Sequence, residues 1–235
     1  MLEAGAYDAV VNLAAAGVTA GSATASEMHA VNVDGAVNLA RLASEVRTPP
    51  WYIHVASSTE PLDGATAESE YSRLKGEGTD AVMRFLNSSG MAYSVAVVHN
   101  TYGPRQPQGR FVGDVVRSVA RGERVHILHP GRIRDFCYVD DVASRLATVV
   151  LGRRADHDRP IREIGTGHGA TLLDVALLVC RTLGKPEGLV TVSASPDEGE
   201  APRVADRGAP GFLECPTSLE QGISRLAAAN LVSSD

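Results

Sequence analysis

Three continuous apolar segments constrain the fold of this chain more than any other feature. They are YDAVVNLAA at 7–15, WYIHVASS at 51–58 and AYSVAVV at 92–98. Because apolar residues follow one another without strict alternation, these segments are typical of strands covered on both faces of a parallel sheet. Helical patterns separate them, at about 25–46 and 67–89. This alternation predicts a doubly wound α/β fold.

After residue 100 the sequence pattern changes. NTYGPRQPQGR at 100–110 predicts a turn-rich loop, and HPGRIRDFCYVDDVA at 129–143 is a charged stretch. The other elements predicted here are a helix at about 111–121, a short strand at 124–128, a helix at about 139–152, a strand, turn and helix over 162–184 with Thr171 as helix N-cap, and a last helix at 218–230. No internal repeat or flexible linker separates these elements.

Composition excludes several classes of protein. The 235 residues carry 22 basic and 28 acidic side chains, a net charge of −6, so nucleic acid and anionic membranes are poor partners. No apolar run approaches the ~20 residues of a membrane span, and no signal peptide is visible. The three cysteines, Cys137, Cys180 and Cys215, lack metal-ligand spacing. They indicate reduced thiols in a cytoplasmic protein rather than disulfides or a metal site.

Tyr71 and Lys75 are the first candidates for chemistry, because they lie one helical turn apart in EYSRLKGEG at 70–78. An ammonium beside a phenol favours the phenolate and lowers the pKa of the tyrosine, which suits a general acid/base. Such pairs also occur on solvated helices. Ser57 and Ser58 end the second predicted strand, where ligands bind in open α/β sheets, although turn formation alone would explain two serines there.

Six segments follow one another in an order that resembles a known family. They are VVNLAAAG at 10–17, NVDG at 32–35, Ser58 with Tyr71 and Lys75, NTYGP at 100–104, RDFCYVDDVA at 134–143 and IGTG at 164–167. Together they resemble the extended short-chain dehydrogenase/reductase family, in its NAD-dependent epimerase/dehydratase branch that acts on nucleotide sugars. The resemblance extends over nearly the whole chain.

The resemblance implies a Rossmann-like sheet with a small C-terminal α+β region. Residues 1–99, with about 135–160, would be the remnant of the dinucleotide-binding domain, and residues 100–134 and 161–235 the substrate-binding region. Family members begin with a glycine-rich turn, which is not found before residue 10. We therefore expect an N-terminally truncated sheet, and weakened or lost binding of NAD or NADP if that segment is truly absent. The family also implies a homodimer through the two long helices.

The resemblance also assigns roles to individual residues. Tyr71 would be the acid/base, Ser58 its hydrogen-bonding partner at the substrate, and Lys75 the group that lowers the pKa of Tyr71 and binds the nicotinamide ribose. The remaining residues implied in cofactor binding are Leu13, Ala14, Ala15, Asn32, Val98 and His99. Asn100 and Arg134 would hold the substrate diphosphate.

Simpler structural roles remain open for two of these motifs. Arg134 and Asp135 could form a structural ion pair, and IGTG at 164–167 could be only a tight turn between strand and helix.

The implied function is NAD(P)-dependent reduction or epimerisation of a nucleotide-activated deoxysugar, and 4-keto reduction is favoured. Dehydration is disfavoured because Thr59 stands where the family's dehydratases carry an acidic residue, in Ser58-Thr59-Glu60. The alternative is a non-catalytic relative that binds a sugar nucleotide or a partner protein. The choice between NAD and NADP, between reductase and epimerase, and of the sugar stays open.

Overall fold

A computed structural model gives the fold. It describes residues 7–61, 67, 69–152, 161–193 and 201–232. The chain divides into two compact units. The first comprises Met1–Val98, Arg145–Glu163 and Gly208–Phe212, and the second His99–Ser144, Ile164–Arg207 and Leu213–Asp235. Which unit binds which ligand stays a prediction.

The described residues form strands and helices in alternation over the first half of the chain. The strands are β1 (Ala9–Asn12), β2 (Trp51–Ser57), β3 (Tyr93–Val98), β4 (Asn100–Tyr102), β5 (Val125–Ile127), β6 (Ile133–Tyr138), β7 (Ile161–Gly165), β8 (Gly169–Thr171), β9 (Val190–Val192) and β10 (Leu213–Glu214). The helices are α1 (Ala25–His29), α2 (Ala36–Ser44), α3 (Glu70–Ser89), α4 (Phe111–Ala120), α5 (Val139–Leu151), α6 (Leu172–Thr182) and α7 (Leu219–Val232). None of the helices within the described ranges is both long enough and apolar enough to cross a bilayer.

The first unit is built on a parallel sheet. β2 lies between β1 and β3, with Ala9 opposite Trp51 and Tyr52 opposite Tyr93. Ile53, in the middle of β2, is fully buried. The three strands predicted from continuous apolar runs are therefore confirmed, and so is the parallel doubly wound fold class.

The predicted helix at 25–46 is interrupted by a turn of π-helix, Ala30–Gly35, between α1 and α2. Thr24 caps α1, since its hydroxyl accepts from the amide of Glu27 and the Glu27 carboxylate accepts from the amide of Thr24 at 2.8 Å. α3 packs directly on the π-helical turn. A Cβ added at Gly78 would lie 1.9 Å from the carbonyl oxygen of Asn32, so this close approach requires glycine.

α3 begins at Glu70, a little later than the predicted start near residue 67. Ser69 has extended backbone, and its hydroxyl caps the helix by accepting from the amide of Ser72 at 3.1 Å. Gly90, with φ of 67°, terminates α3. The core beneath α2 and α3 contains small side chains on α2 and larger ones opposite: Ala36, Ala40, Ala43, Tyr52, Val82, Leu86 and Met91.

The second unit contains mostly shorter strands and a larger apolar core. β4 and β6 are parallel, β6 and β8 are antiparallel, β5 pairs with β9, and the end of β7 pairs with β10. Two sequence expectations are corrected here. Asn100–Tyr102 is a strand rather than part of a loop, and the charged stretch contains the buried strand β6. Thr171 caps α6 as predicted, accepting from the amide of Asp174 at 3.0 Å.

Candidate functional site

The carboxyl ends of three parallel strands bring predicted site residues to one edge of the first unit. Leu13 follows β1, Ser58 follows β2, and Val98 ends β3. The amide of Ser58 donates to the carbonyl oxygen of Val98 at 3.1 Å, so these two strand ends are in direct contact. This edge is where open α/β sheets bind their ligands.

Two asparagines shape the loop that follows β1. The side-chain oxygen of Asn12 accepts from the amide of Ala14 at 3.1 Å. Asn32 holds Ala16 from both sides, because its oxygen accepts from the amide of Ala16 and its nitrogen donates to the carbonyl of Ala16, each at 2.9 Å. The predicted cofactor residues Leu13, Ala14 and Ala15 are all exposed in this loop. Their mostly small side chains leave an open backbone surface at the strand edge, which fits a dinucleotide.

Tyr71 and Lys75 occupy the first two turns of α3. Tyr71 is half-buried and packs against the cluster of Met28, Val33 and Leu74. Lys75 is only 3% exposed, and its ammonium donates to the carbonyl oxygen of Val55 at 2.9 Å. The ammonium is therefore anchored to the middle of β2, close to the strand end that carries Ser58.

Burial controls the protonation of the groups around Lys75. It lowers the pKa of Lys75, and the negative charge of Glu60 opposes that shift. Burial, together with the positive charge of Lys75, lowers the pKa of His54 to about 3. His54 is 1% exposed; its Nδ1 lies 3.5 Å from Asn12 Nδ2 and its Nε2 lies 3.1 Å from the hydroxyl of Thr79. His54 is therefore a neutral, buried connector.

Glu60 is a buried acidic residue whose position the sequence did not reveal. It is 8% exposed, its carboxylate accepts from the amide of Ser57 at 2.7 Å, and its own amide donates to the carbonyl of Ser57 at 3.0 Å. Burial raises the pKa of Glu60, while the charge of Lys75 opposes the shift. The one sequence signal was an acid directly after the serines of a strand end, which is also common in exposed turns.

Asn100 and Arg134, the predicted diphosphate ligands, lie on neighbouring strands of the second unit. Asn100 is opposite Phe136, so Arg134, two residues earlier on β6, shares its face of the sheet. The side-chain nitrogen of Asn100 is buried and has no hydrogen-bond partner among the described residues. Arg134 is buried and donates to the carbonyl of Ile133 at 2.8 Å. His99, the last predicted cofactor residue, is buried, and its amide donates to the carbonyl of Ile164.

Asp135 links two of the sequence motifs structurally. Its carboxylate accepts from the amides of Thr166, Gly167 and Ala205, and the residue is 0% exposed. A Cβ at Gly165 would lie 2.4 Å from the Cβ of Ala205, so the turn also requires glycine there. The role of IGTG as a tight turn is thus apparent in the hydrogen bonds to Asp135. Next to this turn the second unit contains a pocket of about 330 Å³, lined by Phe136, Thr166, His168, Cys215, Thr217 and other residues.

The parallel sheet, with the predicted site residues at the carboxyl ends of its strands, defines the Rossmann-like class of α/β proteins. Within that class the chain belongs to the NAD dependent epimerase/dehydratase family, whose profile matches residues 1–165. The family assigned from the six sequence segments is therefore confirmed.

Several known proteins are similar to this chain in sequence or in fold. A dTDP-6-deoxy-L-talose 4-dehydrogenase (NAD(P)(+)) of Kitasatospora kifunensis is 25% identical over 151 residues, which is 62% of this chain and 46% of the relative. A dTDP-glucose 4,6-dehydratase from Streptomyces venezuelae with NAD bound has a TM-score of 0.80 at 21% identity, over 96% of this chain and 73% of that structure. A UDP-glucose 4-epimerase from Thermotoga maritima with UDP-glucose has a TM-score of 0.74 at 21% identity, over 97% and 78%. The chain thus spans about half the length of the curated relative.

Proposed function

We propose that this chain acts in NAD(P)-dependent oxidoreduction or epimerisation of a nucleotide-activated deoxysugar, with 4-keto reduction as the favoured reaction. The observation that supports this most is the first-unit strand edge. There the exposed loop after β1 and Ser58 lie at the ends of neighbouring parallel strands, and Lys75 is anchored to β2. The family, and the dTDP-sugar dehydrogenase among the relatives, support the substrate class.

In this proposal Tyr71 is the acid/base. In the direction of reduction, the phenol of Tyr71 gives its proton to the carbonyl oxygen of the sugar as hydride reaches the carbonyl carbon, so the ketone becomes an alcohol. A bound nicotinamide supplies the hydride. Ser58 donates a hydrogen bond to the same oxygen. The positive charge of Lys75 stabilises the phenolate that remains, until a proton from water restores the phenol.

The remaining proposed contacts with cofactor and substrate are described for each unit in turn. In the first unit, the residues that line the cofactor in this proposal are Leu13, Ala14, Ala15, Asn32, Val98, Tyr71 and Lys75. In the second unit, His99 has the same proposed role. Asn100 and Arg134 hold the substrate diphosphate, and the unpartnered side-chain nitrogen of Asn100 supports that role. Val31 and Leu42 are exposed apolar residues on the helical segment of the predicted dimer interface. The homodimer and the cytoplasmic location stay predictions.

The test compares Tyr71→Phe with the wild-type chain in two assays. Titration with NADH and NADPH by calorimetry measures cofactor binding, and a nucleotide 4-ketosugar assay measures turnover. We expect kcat to fall at least about 100-fold in Tyr71→Phe, because a positioned general acid contributes that much or more. Cofactor binding should persist.

A matched control is Tyr93→Phe, which removes a hydroxyl that donates to Asn87 at the surface. Its kcat should equal that of the wild type. Equal turnover in Tyr71→Phe would remove Tyr71 from the mechanism. Absence of NADH and NADPH binding by the wild type up to millimolar concentration would favour the alternative, a relative that binds a sugar nucleotide or partner without redox chemistry.

A further inference from the structure

A group of buried polar side chains in the first unit extends beyond the three residues of the proposed mechanism. It comprises Asn12 on β1, His54 on β2, Glu60 after β2, and Thr79 and Lys75 on α3. All five are buried. Two of them, Glu60 and Lys75, are of opposite charge, and buried charges are costly unless something offsets them.

Geometry places Glu60 beneath the strand end that carries Ser58. Its carboxylate closes the turn by accepting from the amide of Ser57 at 2.7 Å. The same turn packs on α3 one residue beyond Lys75, since a Cβ added at Gly76 would lie 3.8 Å from the Cβ of Glu60 and 3.0 Å from the Cδ of Pro61. Glu60 therefore contacts the serine-bearing turn and adjoins the helix of Tyr71 and Lys75 at the same time.

Among the residues that the structure describes, Glu60 is the negative group whose charge acts on Lys75. The ammonium donates to the neutral carbonyl oxygen of Val55. His54, on the adjoining part of β2, is neutral above about pH 3, because burial and the charge of Lys75 lower its pKa. Asp80 on α3 is exposed, and its charge acts on Glu60 by raising the pKa of that carboxyl. Glu60 is the group whose charge counteracts the burial of Lys75.

We propose that Glu60 is a positioning residue for the Tyr71 and Lys75 pair. Its buried carboxylate keeps the Lys75 ammonium charged and holds the turn that carries Ser58. This inference rests on the proposed function for its catalytic meaning, but the electrostatic coupling itself does not need a cofactor or a substrate. It assigns Glu60 a role through Lys75 rather than contact with the sugar, which fits a carboxylate turned towards the backbone of Ser57.

The composition of the chain permits a direct test, because it contains only two lysines, Lys75 and Lys185. Lys185 is exposed and serves as an internal reference. Lysine labelled with ¹³C at Cε gives two NMR signals in the free protein, and their pH titration measures both pKa values. The Glu60→Gln variant keeps a side-chain oxygen for the amide of Ser57 but removes the charge.

We expect the pKa of Lys75 to fall by about one pH unit in Glu60→Gln, because a nearby opposite charge is lost. The pKa of Lys185 should stay the same. Glu77→Gln is the matched control, since it makes the same change at an exposed glutamate of α3 that pairs with Arg73. In that variant the pKa of Lys75 should stay close to the wild-type value. An unchanged Lys75 titration in Glu60→Gln would reduce Glu60 to a structural residue of the Ser57 turn and overturn the proposal.

The reciprocal variant, Lys75→Met, decides the matter if Glu60→Gln does not fold. Coupling between two charges is mutual, so the raised pKa of Glu60 should rise further when the ammonium is lost. Carboxyl ¹³C signals of labelled glutamate report this pKa, and an unchanged Glu60 signal would also overturn the proposal. Absence of turnover in the wild type would refute the proposed function and leave both titrations interpretable.

Discussion

Each of the two units buries a carboxylate, and the two carboxylates are held in different ways. In the second unit, Asp135 accepts from three backbone amides, those of Thr166, Gly167 and Ala205. In the first unit, Glu60 accepts from the amide of Ser57 and interacts with the charge of Lys75. The first arrangement fixes a turn. The second leaves the carboxylate's charge to act on a neighbouring side chain.

This difference separates structural from functional burial of charge. A carboxylate surrounded by amide donors has its lone pairs satisfied locally, and its loss is expected to cost stability. A carboxylate with a buried cation nearby costs the fold something and tunes the pKa of that cation instead. The same substitution, carboxylate to amide, should therefore have unequal effects at Asp135 and Glu60.

The largest stability effect is expected for Asp135→Asn. All three amides point at Oδ2, and Oδ1 also accepts from the amide of Thr166. Whichever of the two positions the amide nitrogen takes in asparagine, it faces an N–H donor, so we expect the unfolding free energy to fall by about 3 kcal/mol. Urea unfolding measures this. Asp34→Asn, at an exposed aspartate beside His29, is the control and should be nearly neutral. A loss under about 1 kcal/mol at Asp135 would show that the turn does not depend on the carboxylate.

A smaller loss of stability is expected at acidic pH, because His54 is buried in its neutral form. Its pKa is about 3 in the folded protein and near 6.5 when unfolded, so the unfolded state takes up a proton first as the pH falls. His54 should remove about 2 kcal/mol of stability between pH 7 and pH 5. Unfolding at both pH values should show a smaller pH dependence in His54→Gln than in the wild type. In His126→Gln, at an exposed histidine, the wild-type dependence should remain. Identical pH dependence in all three proteins would contradict the assignment.

The smallest stability effect is expected for Glu60→Gln. Burial penalises the charged carboxylate, which offsets the loss of its attraction to Lys75, and glutamine keeps an oxygen for Ser57. We expect the unfolding free energy at pH 7 to change by no more than about 1 kcal/mol. Thermal and urea unfolding measure it. A loss as large as that of Asp135→Asn would place Glu60 with Asp135 as a structural carboxylate and erase the contrast between the units.

The parallel strands of the first unit could be predicted because their burial leaves a visible mark. Two covered faces require continuous apolar residues, and WYIHVASS carries that pattern. β6 was not predicted as a strand, because Arg134 and Asp135 interrupt its apolar pattern. Asp135 can be buried there only because Thr166, Gly167 and Ala205 supply donors from distant parts of the chain. Local sequence does not encode those contacts.

Part of the candidate site could also be singled out from the sequence. Ser58, Tyr71 and Lys75 could be singled out from strand ends and helix spacing, and the structure places all three in the first unit. Their catalytic roles stay proposals. Glu60 was not singled out, since nothing in Ser58-Thr59-Glu60 indicates that the acid turns back to the amide of Ser57. The depth of Lys75 in the unit was equally invisible, because a lysine on a helix is normally exposed.

The π-helical turn at Ala30–Gly35 determines which side chains of the following helix, α2, face the core. Such a turn accommodates one residue more than an α-helix does over the same rise, and each residue turns a helix by about 100°. The extra residue is thus absorbed within Ala30–Gly35, and α2 keeps the helical phase that buries Ala40. If the same residues formed an uninterrupted α-helix, α2 would turn by about 100° and Leu39 would take the place of the buried Ala40. Deleting one residue from Ala30–Gly35 should therefore remove the π-helical turn and leave the buried face of α2 unchanged.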